Sequence, residues 1–230
     1  MLRNILFDLD NTIMDFGRAE RSALSKTLIS FGIEPEEKQL IRYSEINDRH
    51  WKLLELGRIS RAEVLLHRFV QFLDEFDLEL PAEQVKTKYE SGLAEGYFML
   101  PGARELLEML YDRYRLYIVS NGTPSVQYGR IEGSGIGRYF QGIFISQELG
   151  YEKPDRRFFD AACALIPGCR VEETILVGDS LSSDIKGANN AGITSVWYNP
   201  GNRANTTTAI PDYMVGSYEE LLELLESGRL

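Results

Sequence analysis

Ile5–Thr12, with the sequence ILFDLDNT, is the stretch that decides the fold of this chain. Its first three residues form a continuous apolar run, which is typical of a buried parallel strand, and two acids follow closely. Similar runs recur later, each followed by polar residues and a helical pattern; they are Leu116–Val119, Ile143–Ile145, Ile175–Val177, Ser195–Tyr198 and an edge strand at Tyr213–Val215. This alternation predicts an α/β fold with a parallel sheet.

A long interval separates the first strand from the second. Residues 16–98 show helical periodicity and no convincing strand, so they predict an inserted helical domain. Within it, Ser60 and Glu63 have the capping-box spacing that opens a helix, and Ser217 and Glu220 repeat this spacing before the last helix. We therefore expect a sheet domain formed by residues 1–15 and 99–230 and a helical domain formed by residues 16–98.

The composition limits the partners of this chain. Its 230 residues, 43% of them hydrophobic, are enough for a sizeable core, and 25 basic against 35 acidic residues give a net charge of -10. This surplus repels nucleic-acid polymers and anionic membranes but leaves room for a small anionic ligand where positive charge is supplied locally. No apolar stretch resembles a signal peptide or a membrane span, and the two cysteines form no disulfide framework. We expect a cytoplasmic protein with reduced thiols, as a monomer or homodimer.

Polar residues follow three of the predicted strands directly. Each group stands where a strand ends: Asp8-Leu9-Asp10-Asn11-Thr12, Ser120-Asn121-Gly122, and Gly178-Asp179 with Asp184 beyond. The carboxyl ends of parallel strands lie along one edge of a sheet, where ligands bind, so these groups should converge. Lys153, which precedes Pro154 and a helix start, lies between the second and third groups in the chain.

The acids at this edge need a cation. Aspartates gathered there would repel one another, since two charges about 4 Å apart cost about 4 kcal/mol at an effective dielectric constant of about 20. Carboxylate oxygens without clustered cysteine or histidine favour Mg²⁺, and Lys153 can supply a second positive charge. The Ser120 hydroxyl and the backbone N–H groups of Asn121 and Gly122 can face a phosphate. The sequence therefore predicts a site for one small phosphate monoester together with Mg²⁺.

These motifs, together with Lys153-Pro154, resemble the four ordered motifs of the haloacid dehalogenase (HAD) superfamily. The helical insertion after the first motif resembles the small cap domain of that superfamily. Four other sequence segments resemble those of the pyrimidine 5'-nucleotidases that act on noncanonical nucleotides; they are Gly57–Ser60, Ile145–Gly150, Asn189–Ile193 and Trp197–Asn199. The resemblance implies a Rossmann-like parallel sheet core with an inserted helical cap domain of the C1 type.

The resemblance also implies a phosphoaspartyl mechanism. Asp8 would attack phosphorus as the nucleophile, and Asp10 would protonate the leaving alkoxide and then deprotonate the attacking water. A dehalogenase has no use for an acid at the second position because halide leaves unprotonated, so Asp10 favours phosphoryl transfer over dehalogenation. The catalytic residues implied are Asp8, Asp10 and Lys153.

The other motif residues would bind metal and phosphate. Mg²⁺ would be held by four aspartates, with Asp10 acting through its backbone carbonyl and Asp184 as an outer ligand or as the partner of Lys153; the four are Asp8, Asp10, Asp179 and Asp184. The substrate phosphate would be bound by Thr12, Ser120, Asn121 and Gly122.

The leading hypothesis from the sequence is a Mg²⁺-dependent phosphatase of nucleoside 5'-monophosphates, with pyrimidine nucleotides favoured. A phosphosugar or phosphoglycolate phosphatase, or a mutase similar to β-phosphoglucomutase, stays open on the same fold because the cap sets the substrate. A non-catalytic binding module is the least favoured alternative, since both Asp8 and Asp10 are present.

Overall fold

The computed structural model describes residues 2–230. The strands are β1 (Asn4–Phe7), β2 (Arg115–Ser120), β3 (Phe140–Ile145), β4 (Thr174–Gly178), β5 (Thr194–Tyr198) and β6 (Tyr213–Val215). The α-helices are α1 (Phe16–Ser30), α2 (Glu37–Glu55), α3 (Arg61–Glu75), α4 (Ala82–Ala94), α5 (Ala103–Leu110), α6 (Pro124–Ser134), α7 (Ser146–Leu149), α8 (Arg156–Leu165), α9 (Lys186–Ala191) and α10 (Tyr218–Glu226). A π-helical segment, Leu181–Ile185, precedes α9.

All six strands lie in one parallel sheet in the order β3-β2-β1-β4-β5-β6, which confirms the predicted α/β fold. The central strand is β1, where Phe7 lies between Ile118 of β2 and Val177 of β4. All four residues of β1 are buried, and three of them, residues 5–7, form the apolar run expected of such a strand. The strand order reverses at β1, so a ligand crevice is expected at the carboxyl ends of β1 and its neighbours.

The two predicted capping boxes differ in the structure. At the start of α3, Ser60 Oγ accepts from the Glu63 N–H at 3.3 Å and Glu63 Oε2 accepts from the Ser60 N–H at 2.7 Å, so this box is complete. At the start of α10, Ser217 Oγ accepts from the Glu220 N–H at 3.2 Å, but the Glu220 carboxylate accepts from the Gly216 N–H. Only half of the second box forms.

Among the described residues, no helix is long and apolar enough to cross a bilayer.

The chain is divided into two compact units, a sheet unit and a helical unit. The sheet unit consists of Met1–Asp15, Met99–Pro124 and Ser134–Leu230, and the helical unit consists of Phe16–Phe98 and Ser125–Gly133. Aromatic rings at the centre of the helical unit have centroids 5.2 to 5.5 Å apart; they are Tyr43, Phe69, Phe72 and Tyr89. The sequence placed residues 125–133 in the sheet domain, whereas buried Val126 of α6 packs into the core of the helical unit.

The structure places Cys163 and Cys169 side by side, with their sulfur atoms in contact, and the reduced state of these thiols stays an expectation. Helix α8 ends at Leu165, and Gly168 then adopts a positive φ of 63°, which only glycine enters without steric cost. This turn folds the chain back until the two cysteine Cα atoms are 5.5 Å apart. Close spacing in the chain and a tight turn therefore bring together two cysteines that form no recognisable framework in the sequence.

Candidate active site

The predicted site residues lie at the carboxyl ends of three strands. Asp8 follows β1 directly, Ser120 is the last residue of β2, and Asp179 follows the last residue of β4. Because β2, β1 and β4 are neighbours in the sheet, the three residues lie along one edge. Ser120 stands 112 positions after Asp8 and Asp179 a further 59 positions on, so the parallel topology brings together motifs that are distant in the chain.

Lys153 is the centre of a buried ionic cluster. Its Nζ donates to Asp8 Oδ1 and to Asp184 Oδ1, both at 2.7 Å, and to the carbonyl of Val119 at 2.8 Å. These bonds use all three N–H groups of the ammonium ion, and only 1% of the side chain is exposed. Burial opposes the charged form, yet the carboxylates of Asp184 and Asp8 raise the pKa of Lys153 above its ordinary value. The lysine therefore stays charged.

The cluster holds more negative than positive charge. Burial raises the pKa of Asp8 well above its ordinary value, although Lys153 acts in the opposite direction. Repulsion from nearby carboxylates adds to this rise; they belong to Asp184, Asp10 and Asp179. Burial, with repulsion from Asp184, also raises the pKa of Asp179 to about 7. The Lys153 ammonium group and the Arg203 guanidinium group beside Asp179 are together fewer than the four carboxylates gathered here.

Three of these acids fit a divalent cation. One carboxylate oxygen from each of Asp8, Asp179 and Asp184 lies within 4.8 Å of the other two. Hard oxygen donors at such spacing suit Mg²⁺, whose charge would offset the repulsion that raises the aspartate pKa values. The fourth predicted ligand, Asp10, would act through its backbone carbonyl and stays a prediction.

Asp184 is positioned by the π-helical segment after β4. Ser180 caps this segment by accepting from the Ser183 N–H at 3.2 Å, and the Ser180 N–H donates to Asp184 Oδ2 at 3.1 Å. One carboxylate oxygen of Asp184 is thus held by Lys153 and the other by Ser180. Gly178 leaves the necessary space, because a Cβ at this residue would collide with the Asp184 carboxyl group.

The turn after β2 holds the backbone of Lys153. Asn121 Oδ1 accepts from the Lys153 N–H at 2.9 Å, and Asn121 Nδ2 donates to the Lys153 carbonyl at 2.8 Å. The Gly122 N–H donates to the Ser120 hydroxyl at 3.0 Å. The phosphate contacts of Ser120, Asn121 and Gly122 stay predictions. The structure adds a role for the Asn121 side chain that the sequence did not indicate, which is to position the lysine.

The loop after Asp8 folds back on itself. Asn11 has a positive φ of 59°, and its N–H donates to the Met14 carbonyl at 2.7 Å. Thr12 is fully buried, and its hydroxyl has no hydrogen-bond partner among residues 2–230, so its phosphate contact stays a prediction. The Thr12 carbonyl accepts from the Tyr218 hydroxyl of α10 at 2.8 Å. Sequence reasoning missed Tyr218 because 206 positions separate it from Thr12.

A parallel sheet with a lysine-centred carboxylate cluster at the carboxyl ends of its strands is typical of α/β proteins that bind their ligands at this edge. The family model of haloacid dehalogenase-like hydrolases matches residues 2–192. The chain belongs to this family of hydrolases, which confirms the resemblance stated from its motifs.

Individual relatives agree with this assignment. The chain is 40% identical over 227 residues to the pyrimidine 5'-nucleotidase PynA of Streptococcus pneumoniae, covering 98% of this chain and 96% of PynA. It is 28% identical over 221 residues to the pyrimidine 5'-nucleotidase YjjG of Escherichia coli, covering 96% of each. A crystal structure of the HAD-hydrolase YfnB of Bacillus subtilis, bound to magnesium, matches with a TM-score of 0.94 at 36% identity, covering 98% of this chain and 99% of that one. The chain is an enzyme, a phosphoric monoester hydrolase.

Gly178→Ala should displace the Asp184 carboxyl group from Lys153, because the added Cβ occupies its place. We expect the variant to lose most of its phosphatase activity and about 1–3 kcal/mol of unfolding free energy, the usual cost of an extra methyl group in a packed site. Gly216→Ala is the matched control, since a Cβ at residue 216 would meet its nearest neighbour at 3.6 Å. Initial rates and urea denaturation of both variants test this; full activity in G178A would contradict it.

Proposed function

We propose that this enzyme is a Mg²⁺-dependent nucleoside 5'-monophosphatase that prefers pyrimidine nucleotides and works through an aspartyl-phosphate intermediate. The observation that carries the catalytic part is the bond from Lys153 to Asp8 within a carboxylate cluster that fits a divalent cation. The substrate part is supported by the similarity to PynA and YjjG along nearly the whole chain.

Asp8 is the proposed nucleophile, and Lys153 holds its Oδ1 and so restricts the orientation of the carboxylate. In the first step an Asp8 oxygen bonds to phosphorus while the bond from phosphorus to the ester oxygen breaks. Asp10 donates its proton to the departing alkoxide. In the second step water attacks phosphorus, Asp10 takes up the water proton, and inorganic phosphate leaves Asp8 as a free carboxylate.

The proposed magnesium ligands are the carboxylates of Asp8 and Asp179 and the backbone carbonyl of Asp10, with Asp184 as an outer ligand or as the partner of Lys153. A bound magnesium ion supplies positive charge that offsets the repulsion between an anionic nucleophile and an anionic phosphate. The proposed phosphate-binding residues are Thr12, Ser120, Asn121 and Gly122.

The helical domain, residues 16–98, is the proposed cap that selects the substrate. Its place in the chain supports this role, since α1 begins at Phe16, eight positions after the proposed nucleophile. The proposal also includes a cytoplasmic location and a monomer or homodimer as the working form.

A substrate panel tests the proposed function. We expect purified enzyme with Mg²⁺ to release phosphate from UMP, dUMP or dTMP with a kcat/KM at least about tenfold above that for sugar phosphates and phosphoglycolate, since one well-placed substrate contact contributes about 1–3 kcal/mol of discrimination. Released phosphate and isomerised product are both measured, because a mutase moves phosphate and releases little of it. A higher kcat/KM for any sugar phosphate or phosphoglycolate than for every nucleotide would overturn the substrate assignment.

A further inference from the structure

The backbone carbonyl of Asp179 accepts two hydrogen bonds from side chains that no catalytic motif includes. Trp197 of β5 donates its Nε1–H at 3.0 Å, and Arg203 donates from Nη2 at 2.9 Å. The same Arg203 nitrogen lies 3.4 Å from Asp179 Oδ2. Both donors therefore act on the residue that carries one of the three carboxylates of the cation cluster.

Arg203 is itself held in place by Asn199, the residue that follows β5. Asn199 is buried, and its Oδ1 accepts from the Arg203 backbone N–H at 2.9 Å and from Arg203 Nε at 3.3 Å. Its Nδ2 donates to the Arg203 carbonyl at 3.0 Å. A turn closes this segment, because the Asn202 N–H donates to the Asn199 carbonyl at 3.0 Å. The guanidinium group thus reaches Asp179 from a preformed loop.

We propose that Trp197 and Arg203 are positioning residues for the magnesium ligand Asp179. Two donors on one carbonyl restrict rotation of the peptide that follows Asp179, and the contact of Arg203 with Oδ2 restricts rotation of the Asp179 side chain before the cation binds. Groups that orient metal ligands in this way typically contribute a factor of 10 to 100 in metal affinity. The inference rests on the proposed function, in which Asp179 binds Mg²⁺.

The positive charge of Arg203 would lower the affinity for Mg²⁺, whereas its positioning of Asp179 would raise it. A guanidinium group beside the site repels Mg²⁺, so removing the charge would strengthen binding if charge alone mattered. Arg203→Lys separates the two effects because it keeps the charge while lysine lacks the planar fork that bonds Asn199 and Asp179 together. Trp197→Phe removes the other donor without any change of charge.

The experiment measures the Mg²⁺ dissociation constant by isothermal titration calorimetry of the full chain without substrate. We expect R203K and W197F each to raise this constant about tenfold or more. Arg156→Lys is the matched control because Arg156 is an exposed arginine paired with Asp160. The melting temperature without Mg²⁺ is recorded for every variant, since a merely structural role would lower it and leave the dissociation constant unchanged.

The outcomes separate this inference from the proposed function. An unchanged or lower dissociation constant in R203K overturns the role of Arg203, and the same result in W197F overturns that of Trp197. At saturating Mg²⁺ the KM for the best substrate should match that of the unaltered enzyme, and a large rise in KM would instead make these residues substrate ligands and overturn the proposal. An unaltered enzyme that binds no Mg²⁺ would overturn the proposed function together with this inference.

Discussion

Asp8→Asn should lower kcat by at least about 10⁴-fold, the scale of loss expected when a nucleophile is removed. An amide oxygen can still accept the hydrogen bond from Lys153, but a neutral amide does not attack phosphorus. The KM for the best substrate should change far less than kcat, because Asp8 is assigned to the chemical step. Steady-state kinetics with Mg²⁺ measures both, and residual activity within tenfold of the unaltered enzyme would contradict the assignment of Asp8 as nucleophile.

The same variant should keep its fold. Burial and neighbouring carboxylates raise the pKa of Asp8, so its charged form is costly in the folded protein. Lys153 keeps its bond to Asp184 in D8N, so no buried charge is left unpaired, and we expect this variant to be at least as stable as the unaltered enzyme when Mg²⁺ is absent. Asp160→Asn, at an exposed aspartate of α8, is the control for a generic loss of charge. Thermal unfolding in the presence of a chelator gives the comparison, and a large drop in melting temperature for D8N alone would show that its inactivity reflects unfolding.

Lys153→Met should have the largest effect on stability. The ammonium group is buried and bonded to Asp8 and Asp184, so the variant leaves two buried carboxylates without their partner. Removal of one partner of a buried ion pair costs about 3–5 kcal/mol, and we expect a loss of that size in urea denaturation without Mg²⁺. Phosphatase activity should also be lost, since the orientation of Asp8 depends on this contact.

A second substitution tests whether charge imbalance causes this loss. K153M combined with Asp184→Asn removes one of the uncompensated carboxylates, so the double variant should be more stable than K153M alone. Lys186→Met is the matched control because Lys186 is an exposed lysine at the start of α9. Equal stability of K153M and K186M, or no gain in the double variant, would contradict the role of Lys153 as the counter-charge of the cluster.

The strands of the sheet were predictable from local pattern. Residues 5–7 and 175–177 are continuous apolar runs, and they became β1 and β4 because strands buried on both faces need apolar side chains throughout. The convergence of the polar groups followed from the parallel topology alone. Predicted helix starts succeeded where a cap is local, as at Ser60, whose partner Glu63 is three positions away.

Contacts between distant parts of the chain were not predictable in the same way. Tyr218 donates to Thr12, and Arg203 donates to Asp179, but neither contact has a spacing rule in the sequence. Residues 125–133 were placed with the sheet by position, and only the packing of Val126 shows that they belong to the helical unit.

The amino-acid sequence by itself determined the strand segments and the acids, the lysine and the small polar residues that stand where the strands end. These features depend on side-chain chemistry and short-range periodicity, and both can be read from neighbouring residues of the chain. The tertiary structure alone decided which acids share Lys153, how Asn121 holds the lysine backbone, and which side chains hold the Asp179 carbonyl. Those partners are set by strand order and by the path of the loops, because hydrogen bonds a few ångströms long join residues far apart in the chain only after the sheet has formed.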